Sequence, residues 1–317
     1  MSNFDWMKKS VGVSFHWTPR DGFFKKEGTN TFEEAVNAFD TERFAETVAK
    51  AGADHVIFTL AHADQMLAFP CKTLDKILPG RTTKRDLISE IIASLKKRNI
   101  RFIAYYNHSC NNKDDLEWKE ACGYAAGKDG DLDLFADNIC AIVSEISQRY
   151  GKGIDGWWFD SGYSLDNSGP FKWVTCDMGD WRFPWEKLSA AAKSGNPNSA
   201  VAVNSGEARR FLYTRAQDYY AGETVSPTDV FVPEKDPTLD MIDHRWMTLD
   251  NAAWLFNTEH ENVDFKQTTR FSDEVILDFV KNNLANDTMT TFNIEISRDV
   301  VINPVALGQF AKIKSQI

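Results

Sequence analysis

Short apolar runs alternate with amphipathic stretches along most of the 317 residues. The runs are Val11–Trp17, His55–Leu60, Arg101–Asn107, Gly156–Asp160, Ala200–Asn204, Asp218–Ala221, His244–Leu249 and Met289–Ile294. Each is four to seven residues long and mostly rich in β-branched and aromatic types, the pattern of a buried strand. The stretches between them have helical spacing. Asp40 or Thr41 opens one that closes on Gly52. Thr83–Asn99 puts Leu87, Ile91, Ile92 and Leu95 on one face. Leu132–Tyr150, Pro184–Lys193, Asp273–Leu284 and Pro304–Ser315 read similarly.

Strands alternating with helices predict a parallel sheet. Eight such strands in one uniform chain predict a single-domain TIM-like (β/α)8 barrel over residues 1–317. The sixth and seventh runs carry the weakest strand signal. An open doubly wound sheet is the alternative, but no glycine-rich nucleotide motif supports it.

Composition narrows the partners. The net charge is −10, and an acidic surface repels phosphate backbones, so nucleic acid is not expected. No apolar stretch is long enough to cross a membrane. The opening MSNFDWMKKSVGVSF has no signal-peptide pattern, which predicts a cytoplasmic protein. Cys71, Cys110, Cys122, Cys140 and Cys176 form no CxxC pair, so neither a zinc site nor a disulfide framework is expected. Aromatic residues make up 13% of the chain, with ten Trp. They suit a large core, and they also suit a site where flat faces stack on sugar rings. No sequence feature fixes an oligomeric state.

In a barrel of this kind the site lies at the C-terminal strand ends. Those ends read His16-Trp17, His62-Ala-Asp64, Tyr105-Tyr106-Asn107-His108, Trp158-Phe159-Asp160, Asn204 through Glu207, and Gly222-Glu223. Sugar cleavage through an oxocarbenium-like transition state needs one carboxylate below the anomeric carbon and one carboxylic acid beside the leaving oxygen. Asp160, which closes an apolar strand, is the candidate for the first. Glu223 is the candidate for the second, with Glu207, Asp243 and Glu234 as rivals. His16 and His62 are candidates for holding sugar hydroxyls or for core histidines. Trp158 either flanks the sugar or fills the barrel, and His108 is either a site or a loop residue. Trp17, Tyr106 and Asn204 complete the candidate set. Neither a metal nor an organic cofactor is expected.

At these residues the chain resembles the retaining α-L-fucosidases. Val13-Ser-Phe-His16-Trp17 is similar to F-x-I-H-W-G, and Ala51 through Asp64 to A-G-A-x-Y-V-V-L-T-x-K-H-H-D. Phe102 through Asn107 resembles F-G-x-Y-Y-S, and Asp155 through Asp160 resembles D-x-x-W-x-D. Asp218 through Glu223 resembles D-Y-x-T-P-E, and the segment around Phe292-Asn293-Ile294 resembles the closing strand. The resemblance implies that Asp160 is the nucleophile, that Glu223 is the acid/base, and that His16, His62, Trp158 and Tyr106 line the sugar pocket.

Departures accompany it. Ala63 stands where the family has a second His, and Ala61 where it has Lys. Asn204-Ser205-Gly206-Glu207 lacks the sugar-contacting Arg, and Met247 follows Trp246 where some members carry Glu. Residues 18–31 lack the family's E-W pair, and the C-terminal β-sandwich of many members is not expected. Two lost charged hydrogen bonds weaken fucose binding by roughly a hundredfold. The resemblance thus implies a retaining exo-glycosidase for small α-L-fucosides or closely related deoxy or L-sugars. The alternatives are an inactive sugar-binding barrel and, more weakly, a metal-dependent barrel enzyme.

Overall fold

A computed structural model describes residues 4–19, 31–62, 64–110, 115–125, 129–165, 178–232, 234, 236–250, 254, 265 and 267–317. Ala63, Cys176 and residues 20–30 therefore lie outside the described residues. Seven strands are described: β1 Val11–Phe15, β2 His55–Ala61, β3 Arg101–Tyr106, β4 Gly156–Phe159, β5 Ala200–Val203, β6 His244–Thr248 and β7 Met289–Asn293. They form one sheet in the order β5-β4-β3-β2-β1-β7-β6, every pair parallel.

Alternation along each strand separates two cores. One face sends Val13, Phe15, Phe58, Phe102, Trp157, Phe159 and Phe292 outward against the helices. The other sends Ile57, Ile103, Tyr105, Trp158, Ala202 and Trp246 into the concave interior. Each fully buried aliphatic or Phe side chain stabilises the fold by about 1.5–3 kcal/mol.

The helices start where side-chain oxygens can take free backbone N–H groups. Asp40 caps α2 (Thr41–Lys50) by accepting from the Arg43 amide at 3.0 Å, and Gly52 beyond its end has φ +83°. Asp86 caps α4 (Leu87–Lys96), which is shorter than the Thr83–Asn99 stretch, and Asp131 caps α6 (Leu132–Tyr150). Helices α7 (Trp185–Lys193), α8 (Asp273–Ala285) and α9 (Pro304–Lys314) occupy the other expected stretches. Three short helices had too few turns to show a period: α1 (Phe32–Ala38), α3 (Lys72–Ile77) and α5 (Leu116–Cys122). Among the described residues no helix is long and apolar enough to cross a membrane.

The expected strand at Asp218–Ala221 is not a strand. The Asp218 amide donates to the Val201 carbonyl at 2.8 Å, the Tyr220 amide to Ile242 at 3.1 Å, and the Thr224 amide to Trp246 at 2.9 Å. Residues 218–224 thus span the gap between β5 and β6 through isolated bridges and curl the sheet without an eight-strand ladder. The reason is local. Gly222 turns the chain at φ +76°, and a Cβ there would fall 2.0 Å from the His244 carbonyl oxygen. Gly222→Ala is accordingly expected to cost about 3 kcal/mol or more, from a strained φ plus overpacking against backbone. Urea unfolding at unchanged m checks this.

Candidate active site at the strand ends

The end of β4 delivers Asp160 to a cluster of donors. Its Oδ2 accepts from the Tyr105 hydroxyl at 2.5 Å and from Asn107 Nδ2 at 3.0 Å. Its Oδ1 accepts from the Ser161 amide at 2.7 Å and from Asn204 Nδ2 at 2.9 Å. Ser161 adopts φ +61°, a left-handed conformation uncommon for a non-glycine residue, and this aims its N–H at the carboxylate. Burial and the Asp160 charge hold Tyr105 well above the usual phenol range, so it stays a donor.

Asn204 carries the second carboxylate. The same Nδ2 that reaches Asp160 lies 2.6 Å from Glu223 Oε2. A shared donor keeps the two carboxylate oxygens within the length of its two bonds. Asn204 is itself fixed, because the Gly206 amide donates to its Oδ1 at 2.9 Å. Gly206 has φ +101°, so the position that lacks the family's Arg serves here to orient the Asn204 amide. Burial first, and then the Asp160 charge, push the Glu223 carboxyl up to about 8.

Two candidate histidines meet beside the same Tyr105. His16 and His62 lie edge to face with ring centroids 5.3 Å apart, and His62 stacks on Tyr105 at 5.6 Å. Trp158 stacks on the other side of Tyr105 at 5.3 Å and donates through Nε1 to the Ala221 carbonyl. Trp246 crosses Trp158 at 4.3 Å and lies parallel to His16 at 5.7 Å. Burial lowers the His16 pKa to about 4.

Three sequence candidates are placed elsewhere. Tyr106 points to the outer core, where its hydroxyl accepts from Gln65 Nε2 at 2.8 Å. Trp17 packs on Phe32 and Phe39 in that same layer. His108 sits behind the Asp160 turn, its Nε2 3.1 Å from Ser164 Oγ and its Nδ1 accepting from the Cys110 amide. The rivals for the acid also separate. Asp243 is paired with Arg210 at 2.5 Å, while Glu207 and Glu234 are exposed. Tyr105, Asn107, Trp246 and Asn293 were not singled out from the sequence. A parity rule could have found the first: Tyr105 is the ladder partner of Trp158, so it shares the face of Trp158 and Asp160. Among the described residues no three His, Cys, Asp or Glu are grouped to hold a metal ion.

Tyr105→Phe keeps the ring stack and removes one charge-assisted hydrogen bond, worth about 1.5–3 kcal/mol. The expected result is a loss of about 10- to 100-fold in glycosidase kcat/KM at nearly unchanged stability. Steady-state kinetics alongside a melting curve would show it, and an unchanged kcat/KM would remove Tyr105 from the site.

The family model described as Alpha-L-fucosidase matches residues 3–304. The chain belongs to the alpha-L-fucosidase family. Its fold is that of a fucosidase-family glycoside hydrolase. The alpha-L-fucosidase AlfC from Lactobacillus casei, solved with alpha-L-fucose product, superposes with a TM-score of 0.66 at 16% identity, covering 99% of this chain and 97% of that one. An endo-fucoidan hydrolase of glycoside hydrolase family 107 gives a TM-score of 0.70 at 16% identity, and this chain covers 53% of its length. This fucosidase-family chain thus spans about half of that hydrolase. A second endo-fucoidan hydrolase of that family is matched over 92% of its length, with a TM-score of 0.67 at 14% identity. At such identities the likeness is one of fold. No curated protein sequence matches the chain.

Proposed function

We propose that the protein is a retaining exo-glycosidase for α-L-fucosides or closely related deoxy or L-sugar glycosides, with Asp160 as nucleophile and Glu223 as acid/base. The observation that carries this reading is the single Asn204 amide nitrogen held by both carboxylates. With bonds of 2.9 and 2.6 Å it keeps the facing oxygens, Asp160 Oδ1 and Glu223 Oε2, close together. This favours the roughly 5–5.5 Å carboxyl spacing of retaining enzymes over the about 6.5–9.5 Å that inverting enzymes need to admit a water.

In the first step an Asp160 oxygen attacks the anomeric carbon as the bond to the leaving oxygen breaks. The Glu223 proton passes to that oxygen. Glu223, now a carboxylate, takes a proton from water, whose oxygen displaces Asp160 from the anomeric carbon. Two inversions retain the configuration. His16, His62 and Trp158 form the wall that faces the sugar. The substrate is a small glycoside or oligosaccharide.

The test is nitrophenol release from a panel of 4-nitrophenyl glycosides led by the α-L-fucoside, with the product anomer read by NMR. Release of the α-anomer first is expected. Release of the β-anomer first would overturn the retaining mechanism, and no release from any sugar would leave the non-catalytic sugar-binding reading.

A further inference from the structure

His16 uses Nδ1 to meet Asn293 Oδ1 at 2.8 Å, and its proton can be placed by donor and acceptor bookkeeping. Trp246 Nε1 is a donor only and lies 2.6 Å from Ser14 Oγ. Ser14 therefore accepts from Trp246 and turns its own hydrogen to Asn293 Oδ1, 3.1 Å away. Asn293 Nδ2 donates to the Trp254 carbonyl at 2.9 Å. A reversed amide would press Oδ1 against that carbonyl, oxygen against oxygen, so the amide orientation is settled by its partners. Oδ1 only accepts, and hence His16 Nδ1 carries the hydrogen.

We propose that Asn293 is a positioning residue that locks His16 in its Nδ1–H tautomer, leaving Nε2 as a bare acceptor in the sugar site. The proposal rests on the glycosidase reading for its substrate consequence. The Nε2 lone pair leaves the ring on the side away from Asn293. His62 and Tyr105 pack against the ring, and Asp160 is the charge that acts on it. Burial keeps the imidazole neutral, so Nε2 does not gain a hydrogen at neutral pH. A pure acceptor takes a hydrogen bond from a hydroxyl and has nothing to offer an ether or ester oxygen. The sugar carbon facing His16 must therefore bear a free hydroxyl, and a glycoside O-methylated or O-sulfated there is rejected.

The experiment is two-bond 15N–1H correlation on the full chain labelled at histidine side chains, at pH 7, with His16 assigned by its absence in His16→Gln. The expected spectrum has a protonated Nδ1 and an unprotonated Nε2 at His16. A hydrogen on Nε2 overturns the proposal, whether or not the protein turns over a fucoside, so it stands or falls apart from the glycosidase reading. Asn293→Asp is the second arm. A carboxylate at Nδ1 is expected to convert His16 into the doubly protonated form at pH 7. With that change, KM for 4-nitrophenyl α-L-fucoside rises about tenfold or more while kcat moves less. A folded Asn293→Asp protein in which His16 carries its hydrogen on Nε2 alone would also overturn the proposal. A protein that fails to fold leaves the wild-type spectrum as the deciding result.

Discussion

Asp160→Ala is expected to lower kcat for 4-nitrophenyl α-L-fucoside by about 10⁴-fold or more, the scale of removing a covalent nucleophile. Four donors surround that carboxylate: Tyr105, Asn107, Ser161 and Asn204. Removing it leaves a small polar space among these donors, beneath the anomeric carbon on the proposed reading. Azide fits such a space and forms a C–N bond as the C–O bond to nitrophenolate breaks. One displacement instead of two gives a glycosyl azide of inverted configuration. Rescue with inversion is the expected outcome. A folded Asp160→Ala protein that keeps more than a tenth of wild-type activity would remove Asp160 from the nucleophile role.

Glu223→Gln should separate two kinds of substrate and raise stability. In the wild type the carboxyl stays protonated until the pH passes about 8, so kcat/KM for an unactivated disaccharide falls as pH rises through that value. The Gln variant donates no proton. The disaccharide is expected to lose about 10²- to 10⁴-fold, while the aryl fucoside, whose leaving group needs no proton, loses less in the first step. The alkaline limb disappears in the variant.

The stability sign follows from the raised carboxyl. Between about 4.5 and 8 the unfolded chain is ionised at this position and the folded one is not. Wild-type stability therefore falls as pH climbs through that window. Gln has no charge to bury and can still accept from Asn204. At pH 8 the variant is expected to be more stable by about 3 kcal/mol, a value reduced because Glu223 keeps some solvent contact. The gap closes below about 4.5. Equal denaturation midpoints at pH 5 and pH 8 for both proteins would show that Glu223 is not held protonated.

Much of this arrangement was legible in the chain because hydrophobic period and strand-end position are local properties. Seven of the eight apolar runs are strands, and the strand-end rule points to His16, His62, Asp160 and Asn204, which lie in one cluster around Tyr105 and Asp160. Asp218–Ala221 has the pattern of a strand because Tyr-Tyr-Ala is apolar enough for one, while the break is made by Gly222 one residue later. Motif resemblance points to Tyr106 rather than Tyr105 because it does not say which face a side chain takes. The ladder pairing of Tyr105 with Trp158 does. Trp17 and His108 follow strand ends closely in sequence, yet their side chains turn into the helix layer and behind the Asp160 loop. The bridging of both carboxylates by Asn204 had no local signal at all. It depends on residues 19 positions apart meeting across the gap between β5 and β6.

That gap has a mechanical meaning. Glu223 is bonded through its neighbours to Trp246 of β6, whereas Asp160 belongs to the β4 end that is laddered to β3 and β5. The main-chain tie between residues 218–224 and β5 itself is the one at Asp218, with the Ala208 amide of the following loop reaching the Glu223 carbonyl. On the proposed roles, the nucleophile is thus bolted to the frame and the acid rides on a segment held by isolated bridges. A warming protein is expected to let that joint yield while the ladders hold, so that turnover fades before the sheet itself comes apart.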